Sequence, residues 1–123
     1  MNTIDTLNKS EVKLWFKAAP VDDFPEESGA TIKYKDTQIA VFNFSSRNEW
    51  YATQNLCPHK FEMALSRGII GDTKGEPKVS CPFHKKNFSL KSGKCLSGDE
   101  DLNILTFPVK IEDNYVYIGL PFS

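Results

Sequence analysis

The sequence predicts an all-β domain, a sandwich or small barrel. Three observations carry this. Short runs of alternating apolar residues recur along the chain. Turn-forming residues separate them at close intervals. No apolar repeat of helical period extends beyond two turns.

The elements follow in order. Val12 to Lys17 alternates Leu14 and Phe16 with lysines and predicts a first strand. Pro20 to Gly29 is acidic, carries two prolines and predicts a loop with at most one helical turn. Ala30 to Lys35 predicts a strand with Thr31 and Lys33 on one face and Ile32 and Tyr34 on the other. Asp36-Thr37 predicts a turn, Ile39 to Phe44 a richly apolar strand, Ser45 to Asn48 another turn, and Glu49 to Asn55 the next strand. Ile69-Ile70, bounded by Gly68 and Gly71, predicts a short strand, as do Lys78 to Ser80 and Asn87 to Leu90. Lys91 to Lys94 predicts a turn. Leu105 to Ile111 contains Pro108, which lacks an N–H, so the expectation is an edge or bulged strand. After Asp113-Asn114, Tyr115 to Leu120 places Val116, Ile118 and Leu120 on one face. The expected organisation is one domain over 1–123, with a smaller unit at about 56–95 inserted into the larger one.

The 123 residues suit one domain of ordinary size. Apolar residues are 40% and charged residues 25%, which excludes bulk disorder. The net charge of -1 excludes a strongly basic nucleic-acid binder. No apolar run reaches the ~20 residues of a membrane helix, and the first residues do not read as a secretory signal. The expectation is therefore a cytoplasmic protein with no membrane and no nucleic acid as partner. Charge is unevenly placed. From Cys57 to Cys95 eight basic residues face three acidic ones, a net of +5, which leaves −6 on the remainder. Such a segment is either a solvated mixed surface or a basic steering face.

Three cysteines, an odd count, point away from a disulfide framework and towards metal or redox chemistry. Two of them stand in Cys57-Pro58-His59 and Cys81-Pro82-Phe83-His84, and these hold the only two histidines. Twenty-one residues separate His59 from Cys81. Two thiolates and two imidazoles satisfy one tetrahedral zinc. Zinc fingers, however, usually group their cysteines on one loop and their histidines together later. One cysteine and one histidine on each loop suit a two-metal centre, with thiolates on one metal and imidazoles on the other. A [2Fe–2S] cluster with two cysteines on one iron and two histidines on the second has this donor set. Pro58 and Pro82 each follow the thiolate and stiffen the loop. Cys95, in a Gly-Lys-Cys-Leu turn, is expected to be a buried, inert thiol. Trp15, Trp50 and most of the nine phenylalanines are expected in the core.

The pattern C-x-H … C-x-x-H among short strands resembles Rieske-type iron–sulfur domains. The resemblance implies a β-sandwich base with an inserted cluster-binding subdomain and one [2Fe–2S] cluster. It implies Cys57 and Cys81 on an inner iron and His59 and His84 on an outer one. High-potential members carry an extra cysteine in each loop and a hydroxyl pair near the cluster. Here Glu62 and Phe83 stand at the cysteine positions and Lys86 and Phe88 at the hydroxyl positions. The resemblance therefore implies a potential near the lower end of the range, about −150 mV. Leu65 to Gly71, Gly75-Glu76-Pro77, and Lys85 to Leu90 through Gly93 to Leu96 further resemble the small-subunit family of assimilatory NAD(P)H-dependent nitrite reductases. That implies an oxidoreductase subunit that passes electrons during reduction of nitrite to ammonium. Its partner would be a large subunit bearing FAD, a [4Fe–4S] cluster and sirohaem. The isolated chain would be only an electron carrier, with no catalytic residues of its own. The other function considered is a free-standing Rieske ferredoxin serving an oxygenase. Glycine usually follows each ligand histidine there, where this chain has Lys60 and Lys85.

Overall fold

The computed structural model describes residues 12–35, 37–57, 62–82, 86–96 and 103–120. Among them the chain forms twelve strands, and its only helical pieces are single 3-10 turns. The predicted all-β class is what the structure has.

The apolar run at the centre of the sequence sets the architecture. Strand β3, Thr37–Phe44, is buried at every position from Ile39 to Phe44. A strand buried on both faces must be covered by two layers. It lies between β2, Ser28–Tyr34, and β4, Glu49–Gln54, in a four-stranded antiparallel sheet completed by β10, Thr106–Phe107. On one face Ile39 and Val41 pack with Ala52 and Phe107 against Val116, Ile118 and Leu120. The latter three are fully buried, as the alternation in Tyr115 to Leu120 predicts. They line β12, Tyr115–Leu120, the middle strand of a second sheet between β1, Leu14–Pro20, and β11, Val109–Glu112. These two sheets and the apolar layer between them make the sandwich.

Pro108 behaves differently from a residue in an edge strand. It divides the predicted strand in two. Before it, Thr106 and Phe107 pair with β4; after it, Val109 to Glu112 pair with β12. A residue without an N–H marks the point where the chain leaves one sheet for the other. Asp113 and Asn114, both at positive φ, then make the two-residue turn into β12. The first strand starts later than expected and runs on to Pro20, with an irregular register between Lys17 and Ala19.

The opposite face of β3 builds a second core. Ala40, Phe42 and Phe44 meet Leu65, Val79, Phe88, Leu90 and Ile104, together with the thiols of Cys57 and Cys81. The covering layer is a three-stranded sheet of β7, Ile69–Thr73, β8, Glu76–Ser80, and β9, Asn87–Ser89. A two-stranded ribbon of β5, Leu56–Cys57, and β6, Glu62–Met63, stands beside it. Neither ribbon strand was readable from sequence, since two residues carry no periodicity. Strand β7 passes through Gly71 rather than ending there. Trp15 and Trp50 are only half-buried, and Trp50 packs at the margin of the sandwich core rather than within it. Lys110 Nζ lies 4.5 Å above the Trp15 ring.

The turn into β2 carries a carboxylate with three donors. Glu27, at φ 53, accepts from the Ser46 N–H at 2.7 Å, Ser45 Oγ at 3.0 Å and Ser46 Oγ at 3.1 Å. The Ser46 N–H is the chief cause that holds its carboxyl below the ordinary 4.5. A carboxyl lowered by folding stabilises the native state above its unfolded pKa and loses that contribution as pH falls through the folded value. Urea unfolding of Glu27→Gln should therefore show a shallower loss of stability below about pH 4.5 than wild type. Parallel acid limbs would show that these bonds contribute nothing.

Candidate metal centre

Two hairpins bring the predicted thiols together. In the first, Leu56 pairs with Met63 and Cys57 with Glu62, which leaves a four-residue tip, 58–61. In the second, Val79 pairs with Phe88 and Ser80 with Asn87. The Cys81 N–H then donates to the Lys86 carbonyl at 2.9 Å, which again leaves four residues, 82–85. Cys57 therefore stands at the last pair of its ladder and Cys81 one residue beyond the last pair of its own. Each tip opens with proline and carries one histidine.

Cys57 and Cys81 are both fully buried in the core behind β3. None of the three cysteines takes part in a disulfide. His59 and His84 lie outside the described residues. Among the described residues no three of His, Cys, Asp and Glu gather at one point. The structure thus brings the two predicted cysteines into one buried core. Cys95 departs from expectation. It is half-buried rather than buried, bridged to Phe88 and packed against the outside of the thiol core. The turn at Gly93 to Lys94 brings it there because Ser89 Oγ organises the preceding residues. That hydroxyl accepts from the N–H groups of Lys91 and Ser92 and donates to Glu76 Oε2 at 2.5 Å.

Close backbone approaches fix one hairpin against the other. After β6 the chain makes a 3-10 turn, Leu65–Arg67, whose Leu65 and Ser66 are buried. Behind this turn lies Gly29 of β2. A Cβ there would overlap the Ser66 carbonyl and stand 2.8 Å from the Phe42 ring. Thr31 Oγ1 bonds Ser66 Oγ at 2.6 Å on the same side. At the other end of the turn, Gly68 rests on β8. A Cβ at Gly68 would overlap the Ser80 carbonyl and stand 2.8 Å from Val79 Cγ2. Its φ of -73 is open to any residue, so space alone demands glycine. Ser80 immediately precedes Cys81. Sequence alone gave no sign of this contact, because the neighbour that forbids a side chain is distant along the chain.

Beside Cys81 a cleft of about 440 Å³ is lined by Ile69, Lys78, Ser80, Pro82 and Asn87. Ile69 is 77% exposed there. Ser80 Oγ donates to Asn87 Oδ1 across the base of the second hairpin. A little further off, Tyr51 packs edge-on to Phe44, a member of the thiol core, with ring centroids 5.5 Å apart. Burial first, then the hydrogen bond to Glu49, pushes its hydroxyl up to about 12. Tyr51 thus stays neutral across the physiological range.

The chain is similar to known proteins over most of its length. A family profile for Rieske-like [2Fe–2S] domains matches residues 14–119. The chain is 48% identical over 105 residues to a nitrite reductase [NAD(P)H] of Emericella nidulans, covering 81% of this chain and 9% of that one. It spans about a tenth of the length of the first curated nitrite reductases it matches. It is 35% identical over 106 residues to the ferredoxin component of naphthalene 1,2-dioxygenase/salicylate 5-hydroxylase systems of a Ralstonia species, covering 86% of this chain and 95% of that one. The solution structure of the nitrite reductase [NAD(P)H] small subunit from Erwinia carotovora matches with a TM-score of 0.74 and 28% identity, over 89% of this chain and 83% of that one.

The packing at Gly68 yields a direct test. Gly68→Ala should lower stability to urea by about 1–3 kcal/mol, the usual cost of forcing atoms into a filled site. Gly71→Ala, where the nearest atom to a new Cβ is 4.0 Å away, should leave stability nearly unchanged. Equal effects at both positions would contradict the close approach.

Proposed function

The chain belongs to the Rieske-like [2Fe–2S] domain family, and from that premise we propose that it is the electron-transferring small subunit of an NAD(P)H-dependent nitrite reductase. The family's cofactor is a single [2Fe–2S] cluster. The observation that carries the assignment of its ligands is the pair of core thiols at the necks of matched hairpins. Soft thiolates out of contact with water suit an iron–sulfur centre. We assign Cys57 and Cys81 to the inner iron and His59 and His84 to the outer iron. When bound, such a centre takes up and gives back one electron.

The chain's own groups prepare the site for that task. The sandwich anchors β3, and β3 presents Phe42 and Phe44 to the layer that holds both thiols. Burial keeps water from the sulfurs. The ladder bond from Cys81 N–H to Lys86 holds the second hairpin closed at its neck. Lysines on the ligand segment give it the positive excess noted above, which favours docking of an acidic partner and opposes the cost of an added negative charge. We read about 56–95 as the cluster-bearing subdomain of a single domain, 1–123.

The partner in this reading is a large subunit that carries FAD, a [4Fe–4S] cluster and sirohaem and reduces nitrite to ammonium. Support comes from the nitrite reductase relatives, in some of which the similar segment is part of one much longer chain. The protein acts as an oxidoreductase within that assembly and not alone. A reducing compartment, the cytoplasm, suits three cysteines with no disulfide among them. Among the described residues no helix is long and apolar enough to cross a membrane. The second reading, a ferredoxin that serves an oxygenase, rests on the Ralstonia ferredoxin component, matched over nearly its whole length.

Two measurements test the proposal. Anaerobic reconstitution should load two irons and two sulfides per chain, and His84→Ala or Cys81→Ala should abolish the visible absorbance while the far-ultraviolet β signal persists. Retained absorbance removes the residue from the ligand set. Affinity purification of the tagged chain from its own cells should recover a large flavin- and sirohaem-containing polypeptide. Recovery of an oxygenase instead selects the second reading.

A further inference from the structure

We propose that Asn55, which contributes no ligand, is the positioning residue that sets Cys57 against Cys81 so that both sulfurs reach one iron; this rests on the ligand assignment above. Asn55 lies between β4 and β5, two residues before Cys57, and is 2% exposed. Every polar group it owns is used. Its N–H donates to the Gln38 carbonyl at 3.2 Å, and its carbonyl accepts from the N–H groups of Ala64 and Leu65 at 3.0 and 3.1 Å. Its side-chain Oδ1 accepts from the Ser66 N–H at 2.8 Å, and Nδ2 donates to Gln38 Oε1 at 2.9 Å. The Ser66 N–H needs an acceptor, so the orientation of the amide is fixed.

Three successive N–H groups, Ala64 to Ser66, thus end on one residue. They are the donors that a 3-10 turn leaves without internal partners at its start. Asn55 closes the base of the first hairpin from below while Gln54 braces it from the side. Gln54 Nε2 donates to the Leu56 carbonyl at 2.7 Å, and its Oε1 accepts from the Leu105 N–H at 2.8 Å. The far end of the same 3-10 turn is Gly68, seated on the carbonyl of Ser80. A continuous set of contacts therefore runs from Cys57 through Asn55, Ser66, Gly68 and Ser80 to Cys81. Its one link formed by a side chain alone is the bond from Ser66 N–H to Asn55 Oδ1. Truncating it leaves the buried Ser66 N–H without its acceptor and Gln38 Oε1 without its donor, so the turn is held to the hairpin base only by the bonds of Ala64 and Leu65 N–H to the Asn55 carbonyl.

The test compares reconstituted full-length variants for cluster loss to an iron chelator and for the EPR spectrum of the reduced protein. Asn55→Ala should lose iron about ten- to a hundred-fold faster than wild type, the usual effect of removing a group that orients a ligand, with an altered spectrum. Asn55→Asp keeps an acceptor for Ser66 N–H and should restore both towards wild type. Asn43→Ala serves as the structural control. It removes a buried amide whose Nδ2 bonds the Phe24 carbonyl on the sandwich side of β3. Asn43→Ala should lower the melting temperature yet keep the wild-type rate and spectrum. If Asn55→Ala loses iron no faster than Asn43→Ala, the positioning role is overturned while the ligand assignment stands. If wild type itself takes up no cluster, the ligand assignment falls and this proposal with it. Should Asn55→Ala not fold, Asn55→Leu fills the same space but offers the Ser66 N–H no acceptor. Faster iron loss in it supports the role, and the wild-type rate overturns it.

Discussion

The double-sided burial of strand β3 organises both layers of the domain. Its residues from Ile39 to Phe44 are all buried, so neither face can be left to water. The sandwich covers one face and the thiol-bearing layer the other. Burial of even half of such a strand is worth several kcal/mol at about 25 cal/mol per Å² of apolar surface. The two layers are therefore not independent. The sandwich supplies a rigid floor, and the hairpins stand on it with their cysteines pointing inward.

This arrangement shows how so short a pair of hairpins could hold the proposed metal site. A two-residue ladder such as β5–β6 has little stability of its own. It is held instead by what lies below and beside it. Asn55 gathers the chain at its base, Gly29 and Thr31 back the following turn, and Gly68 brings that turn against β8. The necks of both hairpins are thereby fixed by the chain's own contacts, which is what a preorganised site requires.

Much of the fold was legible from sequence, and the reasons are local. Val116, Ile118 and Leu120 alternate, and all three are buried. Asn48, Asp113 and Asn114 stand at turns and adopt positive φ. Pro108 was recognised as a disturbance, but its actual part, a change of sheet, depends on which strands lie on either side. The ribbon β5–β6 escaped notice because pairing over two residues is decided by tertiary contacts. Ile69 was read as an ordinary strand residue, yet it faces solvent beside the cleft.

The proposed donor set comes from a different kind of signal: both histidines fall beside cysteines, a pattern of composition and spacing that needs no three-dimensional information. The supports of the site were not legible. Gly68 and Asn55 are common residue types, and their importance comes from Ser80 and Ser66, which reach them through the fold. In the proposed centre two sulfurs hold one iron and two imidazoles the other. Mössbauer spectroscopy of the reconstituted, reduced chain enriched in iron-57 tests it most directly. Two unequal iron sites are expected, a ferric site in an all-sulfur environment and a ferrous site with nitrogen ligands. Two irons of like all-sulfur surroundings, or a protein that binds zinc and no sulfide, would contradict it.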